Sequence, residues 1–362
     1  MTQPNPAPSQ PSQPSSSAVR PPLSVLDLAP VSAGSTSRDA LLDSTTLARR
    51  ADDLGYLRFW VAEHHSMPAV ASTSPAVLIS HLASATRRVR VGSGGVMLPN
   101  HPSLVVAEQF AMLEALHPGR IDLGIGRAPG ADPMTAAALR RTVEGLGAED
   151  FPRELIDLLG LLDHPAGRRS SAARRLIATP AQESTPQVWL LGSSLFSAQL
   201  AGELGLPFSY ASHFSTGRTQ EAAAAYRAAF RPSEVLDQPH LMVSASVIIA
   251  DTEEEAAHLA GPSRVMALSL RTGRLGPVVS PQDAQELLAA LDPQAAQDFF
   301  AQSPGTQVAT TAERAVAELE ALVSRTGADE LLVTSTTHDV ATRVRTLEAL
   351  ADGWGLLPDP AA

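Results

Sequence analysis

The sequence predicts an α/β fold, a (β/α)8 TIM barrel with insertions, and two observations lead to that prediction. Short apolar runs alternate with amphipathic segments along most of the chain, which is typical of a parallel sheet. Gly, His, Ser or Arg follows six of these runs at once, and polar residues after strand ends mark the face where such barrels gather their functional groups. The six stretches are 57–65, 89–95, 121–127, 188–194, 207–214 and 330–339.

Eight apolar segments are predicted to be the barrel strands, because each has the length and the flanking turn residues of a strand. Pro30 ends the first one, since proline has no N–H to continue a ladder. The predicted strands are residues 23–29, 57–62, 88–93, 120–125, 187–191, 207–211, 241–250 and 330–335.

Capping residues predict where the helices between these strands begin and end. Ser37 is predicted as the N-cap of the first helix and Gly55 as its stop. Pro102 is predicted to lie in the first turn of a later helix. Thr252-x-x-Glu255 and Thr310-x-x-Glu313 have the spacing of capping boxes, so each predicts a helix start. Further helices are predicted at 75–86, around 151–162, up to 204 and over 340–351.

The chain is predicted to hold one domain, residues 21–358, because a barrel of about 250 residues plus insertions accounts for its length. The helical pattern loosens near 131–187 and 271–305, and we expect insertions there. Residues 1–20 are rich in Pro, Ser and Gln and lack the apolar centre of a signal peptide, so a disordered tail is expected.

The composition excludes several classes of function. All 27 basic residues are arginine, which excludes Schiff-base aldolases, pyridoxal-phosphate enzymes and kinases that need a lysine amine. The absence of cysteine excludes thiol catalysis and Cys-ligated zinc, and it fits a cytoplasmic location. A net charge of −11 opposes binding to nucleic acid or to an anionic membrane. No apolar run reaches the roughly 20 residues of a membrane span.

Glu63-His64-His65 ends the second predicted strand. Successive side chains of a strand point to opposite faces, so the two histidines are not expected to share a metal ion, and no metal site is predicted. One imidazole that faces the barrel mouth can act as an acid, a base or a hydrogen-bond donor. The alternative is that one histidine packs locally while the other is exposed to solvent.

Two glycine-containing stretches follow the third and fourth strands. Gly94 and Gly95 permit a close approach of the backbone to a flat ligand, or else form a plain tight turn. Gly124-Ile-Gly126-Arg127 is not a dinucleotide fingerprint, because a helix does not begin within the loop and the strand before it is already the fourth. Arg127 remains a candidate clamp for a phosphate or a carboxylate.

Gly192-Ser193-Ser194 precedes a predicted helix that contains Ser197. A helix N-terminus offers free N–H groups and the positive end of a dipole, and hydroxyl side chains add donors, so this is the strongest candidate for a phosphate site. Simple N-capping by Ser193 or Ser194 is the alternative. No G-x-S-x-G elbow is present, so a serine hydrolase has no support.

Six motifs occur in a fixed order along the chain. They are F-W-x-x-E-H-H at 59–65, S-T-S-P at 72–75, R-V-R-V-G-S-G-G-V-M-L-P-N-H at 88–101, A-E-Q-F at 107–110, H-P-G-R-I-D-L-G-I-G-R-A-P-G at 117–130 and W-L-L-G-S-S at 189–194. Together they resemble the bacterial-luciferase-like flavin monooxygenases, in the single-chain bacterial branch. The similarity runs from about Leu23 to Trp354 and is densest over 55–130.

The resemblance implies a barrel that binds FMN as FMNH2 and reacts with O2 through a flavin hydroperoxide to oxygenate a small organic substrate. His64 matches the family histidine at the reactive edge of the flavin, with an acid or base role. A non-prolyl cis peptide is implied at Gly94-Gly95, beneath the flavin ring. The residues implied to bind the cofactor are Glu63, Gly94, Gly95, Arg127, Gly192, Ser193, Ser194 and Ser197.

The resemblance also implies partners and leaves alternatives open. A separate flavin reductase is expected to supply FMNH2, and a homodimer is expected because relatives pair through helices of the early barrel units. The luciferase aldehyde pocket has no clear match in 131–187 or 271–305, so an aldehyde substrate is not favoured. The alternatives are an F420-dependent hydride-transfer enzyme of the same superfamily and a non-catalytic FMN-binding protein.

Overall fold

The computed structural model describes residues 20–128, 133–139, 150–168, 173–180, 184–215, 217–301 and 305–356. Parallel strands dominate it. The described strands are β1 (Leu23–Asp27), β2 (Arg58–Val61), β3 (Arg90–Ser93), β4 (Val96–Met97), β5 (Ile121–Gly126), β6 (Gln187–Gly192), β7 (Phe208–Tyr210), β8 (Leu241–Ile249), β9 (Gln307–Thr310) and β10 (Glu330–Thr334).

Eight of these strands pair in parallel and close a ring in the order β10–β1–β2–β3–β5–β6–β7–β8–β10. The predicted (β/α)8 TIM barrel is therefore confirmed. The two remaining strands extend the ring: β4 pairs with the carboxyl end of β5, and β9 pairs with the carboxyl half of β8. All eight predicted strands are present, with ends shifted by one to two residues.

Helices follow the strands and cover the barrel. Their inner faces are apolar; on the first helix, for example, Leu47, Ala48 and Ala51 are buried against the barrel wall. The described helices are α1 (Ser37–Leu54), α2 (Pro75–Ala85), α3 (Ser103–Leu116), α4 (Pro133–Leu139), α5 (Phe151–Leu161), α6 (Leu195–Glu203), α7 (Thr219–Ala229), α8 (Glu253–Leu259), α9 (Gly261–Thr272), α10 (Pro281–Ala289), α11 (Pro293–Ala301), α12 (Ala312–Thr326) and α13 (Val340–Trp354). None of these described helices combines the length and the apolar character that a bilayer span requires.

The N-cap of α1 differs from the prediction by one residue. Thr36, not Ser37, caps the helix, because its hydroxyl accepts a hydrogen bond from Asp39 N at 3.2 Å and the Asp39 carboxylate accepts one from Thr36 N at 3.1 Å. This reciprocal pair is a capping box. The predicted stop is confirmed: Gly55 follows α1 in the left-handed region, at φ 83°.

Two other predicted helix starts also shift. Pro102 is the N-cap of α3 and not a residue of its first turn. Thr310 is the last residue of β9, so the helix predicted from it begins later, at Ala312, with Thr311 as N-cap. The start at Thr252 is confirmed, since its hydroxyl accepts a hydrogen bond from Glu255 N at 3.1 Å.

The second predicted insertion, 271–305, contains two helices, α10 and α11, and rejoins the barrel as β9. It is tied to the loop after β1, because Val278 N donates to Val31 O and Ala33 N donates to Val278 O, each at 2.8 Å. The first predicted insertion, 131–187, contains α4 and α5 among its described residues.

The predicted tail lies outside the described residues except for its last member, Arg20. That residue belongs to the barrel exterior: its guanidinium pairs with Glu320 at 2.7 Å and stacks over Trp354 at 5.2 Å.

The middle of the barrel is filled by apolar side chains. Trp60 and Trp189 are fully buried and meet edge to face, with ring centroids 5.3 Å apart. Leu26, Met242 and Leu332 complete the same interior cluster. A barrel packed in this way is a solid core and not a pore.

A buried ionic layer lies below this cluster, at the amino ends of the strands. Arg58 pairs with Asp122 at 2.8 Å and with Glu330 at 3.0 Å, and Arg90 pairs with Asp122 at 2.6 Å. Burial disfavours the charged form of Arg58, but the two carboxylates outweigh it and raise the pKa of the guanidinium. The arginine therefore stays charged, and buried ion pairs close the barrel at the amino ends of its strands.

Candidate active site

The residues singled out from the sequence lie at the carboxyl ends of four strands. Glu63 and His64 follow β2, Gly94 and Gly95 follow β3, Arg127 follows β5, and the serines follow β6. Because β2, β3, β5 and β6 are successive neighbours in the ring, these residues occupy one half of the barrel mouth.

A cis peptide bond joins Gly94 and Gly95, as the resemblance implied. It separates β3 from β4, and Ser93 holds the interruption in place: its hydroxyl donates to Gly124 O at 2.9 Å and accepts from Gly124 N at 3.0 Å. A Cβ on Gly94 would lie 2.6 Å from Leu26 Cδ1, and a Cβ on Gly95 would lie 2.7 Å from Gly124 O. Protein packing beneath the pair therefore requires glycine, which leaves a flat stretch of backbone at the mouth.

Glu63 is fully buried and faces the segment that follows this cis peptide. Its carboxylate accepts hydrogen bonds from Met97 N at 3.0 Å, Asn100 Nδ2 at 3.1 Å, and the Nε2 atoms of His101 and His65 at 2.9 Å each. Burial alone would raise the pKa of Glu63, but the bonds from His101, His65 and Met97 outweigh it and lower the pKa below its ordinary value. Glu63 is an anion that holds residues 96–101 against β2, and its role at the cofactor stays a prediction.

His64 follows Glu63 directly after β2, and that its side chain faces away from Glu63 stays a prediction from strand alternation. Its backbone N donates to Ser72 O at 3.1 Å, and the Ser72 hydroxyl donates to Ala62 O at 2.6 Å, so the end of β2 is fixed. The side chain is half-buried, and its charge acts on His213, which follows β7. His64 therefore lies at the mouth, near a second imidazole.

The serines surround the N-terminus of α6, as predicted. Ser194 is the N-cap, and its hydroxyl accepts a hydrogen bond from Ser197 N at 3.4 Å. Ser197 is buried directly against Gly192, where a Cβ would overlap its side chain. Ser193 is exposed just before the cap. Ser194 therefore caps the helix, which is one interpretation from the sequence. The phosphate site stays a prediction, which the N–H groups at the start of α6 suit.

Arg127 brings a positive charge to the same helix end. Its guanidinium carbon lies 4.7 Å from the ring centroid of Phe196, the second residue of α6. Among the residues that the structure describes, the guanidinium makes no hydrogen bond and no ion pair. A half-exposed arginine beside a helix N-terminus is a suitable site for a dianionic phosphate.

These features fit FMN in two respects. The donor set around α6 (Arg127, the hydroxyl of Ser193 and the free helix N–H groups) suits its phosphate. The flat Gly94-Gly95 backbone lies between this donor set and His64 along the ring of strands, where a flat ring can lie against it.

Two polar residues at the mouth were not predicted from the sequence as site residues. His213 lies in a stretch that the alternation of strands and polar residues did mark, 207–214, but no role was assigned to it. Ser244, its hydrogen-bond partner, lies inside the apolar run of β8, where no sequence signal distinguishes it.

Comparisons with known proteins were consistent with one another. The sequence profile of a family described as luciferase-like monooxygenase matches residues 22–352. The uncharacterised protein YvbT of Bacillus subtilis strain 168 is 46% identical over 333 residues, which are 92% of this chain and 96% of that protein. A luciferase-like monooxygenase of Escherichia coli strain K12 is 40% identical over 330 residues, covering 91% and 96% of the two chains.

Solved structures agree with the fold. The crystal structure of apo-MsnO8 has a TM-score of 0.85 and 37% identity, and the match covers 94% of this chain and 100% of that one. Two more distant structures show the fold alone. The oxygenating constituent of 3,6-diketocamphane monooxygenase in complex with FMN has 19% identity, a TM-score of 0.68 and coverage of 92% and 98%. An F420-dependent secondary alcohol dehydrogenase has 16% identity, a TM-score of 0.63 and coverage of 91% and 99%.

Proposed function

This chain belongs to the luciferase-like monooxygenase family, and on that premise we propose that it is an FMN-dependent monooxygenase. It uses reduced FMN and O2 to oxygenate a small organic substrate. We take FMN over F420 because the sequence carries the E-H-H and G-S-G-G motifs at 63–65 and 92–95. Fold alone does not decide, since neighbours of both kinds share it.

One observation carries the proposal: Arg127 is held beside the N-terminus of α6, with its guanidinium stacked on Phe196. The positive end of the helix dipole and the positive charge of the arginine lie at the same place. A phosphate there gains charge-assisted hydrogen bonds of about 1.5–3 kcal/mol each. Ser193 and Ser194 lie at the same helix end, and the Gly94-Gly95 backbone is on a neighbouring part of the mouth.

The remaining residues of the mouth have distinct tasks in this proposal. When bound and reduced, FMN supplies the electrons that activate O2. Gly94 and Gly95 support the flat ring, and Glu63 keeps residues 96–101 in place behind them. His64 holds or releases a proton at a ring nitrogen at the mouth, beside the reacting groups.

Partners are part of the proposal. A separate flavin reductase supplies reduced FMN, because the sequence contains no second nucleotide-binding motif. A homodimer forms through α2 and α3, two neighbouring helices that expose large apolar side chains: Val77 by 72%, Met112 by 55% and Leu116 by 63%. Apolar surface exposed on neighbouring helices favours an interface between subunits.

The test is a titration of wild-type protein and of Arg127→Ala with FMN and with riboflavin, which lacks the phosphate. Wild type binds FMN more tightly than riboflavin. Arg127→Ala loses FMN affinity about 10- to 100-fold and leaves riboflavin affinity unchanged. Arg218→Ala, which removes an exposed arginine paired with Glu221, is the matched control and changes neither affinity.

An anaerobic titration with reduced FMN, followed by mixing with O2, tests the oxygenase activity. Monooxygenase function predicts that the reoxidation yields less than one hydrogen peroxide per flavin once a substrate is present. Tight binding of F420 with no binding of FMN would overturn the cofactor assignment. FMN binding with full peroxide release for every compound, in wild type and in His64→Ala alike, would favour a storage protein.

A further inference from the structure

His213 is a second imidazole at the barrel mouth, and a serine on the neighbouring strand fixes its ring. It follows β7, and its Nδ1 lies 2.6 Å from the Ser244 hydroxyl on β8. The ring also meets Phe214 edge to face, with centroids 4.6 Å apart. It is half-buried.

The hydrogen bonds of Ser244 assign the tautomer of His213. The Ser244 hydroxyl has one hydrogen, and at 3.2 Å from Tyr210 O it can only donate, because a carbonyl oxygen only accepts. The contact with His213 is then satisfied if Nδ1 carries the proton and donates to Ser244. The backbone N of His213 also donates to the same oxygen, at 3.4 Å. His213 is therefore the Nδ1–H tautomer, with an acceptor lone pair at Nε2.

The loop that carries this ring is fixed from a second side. Gln307 Nε2 donates to His213 O at 2.8 Å, and Thr306 N donates to Ser212 O at 2.8 Å. Residues 305–307 lead into β9, so the segment returning from the insertion after β8 holds the loop in place. An acceptor on such a fixed loop is pre-organised.

The surroundings keep the acceptor unprotonated. Burial, with a smaller contribution from the charge of His64, lowers the pKa of His213 to about 4, so the ring is neutral at pH 7. In the described part of the chain, Nε2 makes no hydrogen bond. A neutral imidazole nitrogen at the mouth can then accept a hydrogen from a bound molecule.

We propose that His213 Nε2 is a substrate-binding acceptor: it takes a hydrogen bond from a hydroxyl or N–H group of the organic substrate, close to His64. The site accordingly selects molecules that carry such a donor over molecules of the same shape without one. A site built for a hydrogen bond rejects the analogue that lacks it, because its own buried group is then left unpaired. The hydrogen bond to a substrate rests on the proposed function, whereas the assignment of the Nδ1–H tautomer does not.

The tautomer is tested on ligand-free protein by 15N NMR of the histidine side chains at pH 7, with His213→Gln identifying the signals. Wild type shows a protonated Nδ1 and a pyridine-like Nε2 at His213. Ser244→Ala removes the acceptor of the Nδ1 proton, so its His213 signals shift toward the Nε2–H form. A protonated Nε2 in wild type would overturn the proposal, whatever the cofactor proves to be.

The binding preference is tested with a matched pair of probes, phenol and anisole, added to the FMN-loaded protein. Phenol shifts the Nε2 signal of His213 and binds about five- to tenfold more tightly than anisole, as expected for one neutral hydrogen bond. His213→Phe abolishes this ratio, and His213→Gln retains most of it, because a glutamine oxygen can accept near the position of Nε2. Equal affinities of the two probes for wild type, with FMN bound, would refute the acceptor role and leave the monooxygenase assignment standing.

Discussion

Replacing Glu63 with glutamine tests how the mouth is held together. The carboxylate accepts four hydrogen bonds while fully buried, three of them at Oε1 and the one from Met97 N at Oε2. Glutamine keeps one acceptor oxygen and presents an NH2 group at the other position. If the amide oxygen takes the place of Oε1, the three hydrogen bonds there have a neutral acceptor instead of a charged one. The NH2 group then faces Met97 N, and two donors meet without an acceptor between them.

The size of the effect follows from these contacts. A hydrogen bond to a charged acceptor contributes about 1.5–3 kcal/mol against about 1 for a neutral one, and a buried unpaired N–H costs about 1–3 kcal/mol. Partial relaxation of residues 96–101 reduces the total, so Glu63→Gln is expected to lose about 3 kcal/mol of unfolding free energy. Unfolding entropy of about 2.1 cal/mol/K per residue, over 362 residues, converts this into a fall in Tm of about 4 °C.

The assay is thermal unfolding followed by circular dichroism at pH 7, with Glu320→Gln as the control. Glu320 makes a half-exposed pair with Arg20, and the control is expected to change Tm by less than about 1 °C. The folded-state pKa of Glu63 is lowered, so its stabilisation is complete above the ordinary pKa and disappears as pH falls through the lowered value. The difference between wild type and Glu63→Gln must therefore shrink in acid. A variant as stable as the control at pH 7 would refute this account of the mouth.

Three further predictions concern other parts of the molecule. Gly124→Ala places a Cβ against Ser93 O and is expected to destabilise the protein by at least about 3 kcal/mol, whereas Gly276→Ala, in open space, is expected to change stability by less than about 0.5 kcal/mol in the same denaturant titration. Burial lowers the pKa of His164 to about 4, so the stabilisation from its neutral ring is complete above pH 6.5 and is lost as pH falls toward 4. His164→Asn is expected to flatten a plot of unfolding free energy against pH between these values. An unchanged slope would contradict the lowered pKa. Met112→Arg is expected to convert the proposed dimer to monomer in analytical ultracentrifugation without a change in circular dichroism, and an unchanged sedimentation coefficient would exclude the α2–α3 face.

Most of the barrel could be predicted because its signals are local. Each predicted strand is a short apolar run with a stop. Strands such as β8 and β10 are buried at every residue, which keeps their runs continuous in the sequence. The strand β9 escaped because it has four residues and its last member, Thr310, also opens a capping-box spacing. Whether Thr310 belongs to a strand or caps a helix is decided by the pairing of β9 with residues 246–249 of β8, about 60 positions earlier in the chain.

The candidate site could be predicted in position but not in its contacts. The sequence placed Glu63 at a strand end, yet the direction of the carboxylate depends on the donors of residues 97–101. These donors reach it only because β3, which precedes them, pairs with β2. Thr36 was missed as N-cap for a smaller reason: Ser37 beside it is an equally good cap by type, and only the Asp39 spacing separates them.

The ionic layer of Arg58, Asp122 and Glu330 has a kinetic consequence. The described barrel is filled from Trp60 down to these charges, so nothing passes along its axis from the amino ends of the strands. Under the proposed function, cofactor and substrate therefore share the entrance at the carboxyl ends. An organic molecule that arrives before the reduced flavin then blocks its path. We therefore expect turnover to slow at high substrate concentration, and a higher concentration of reduced FMN to relieve that inhibition.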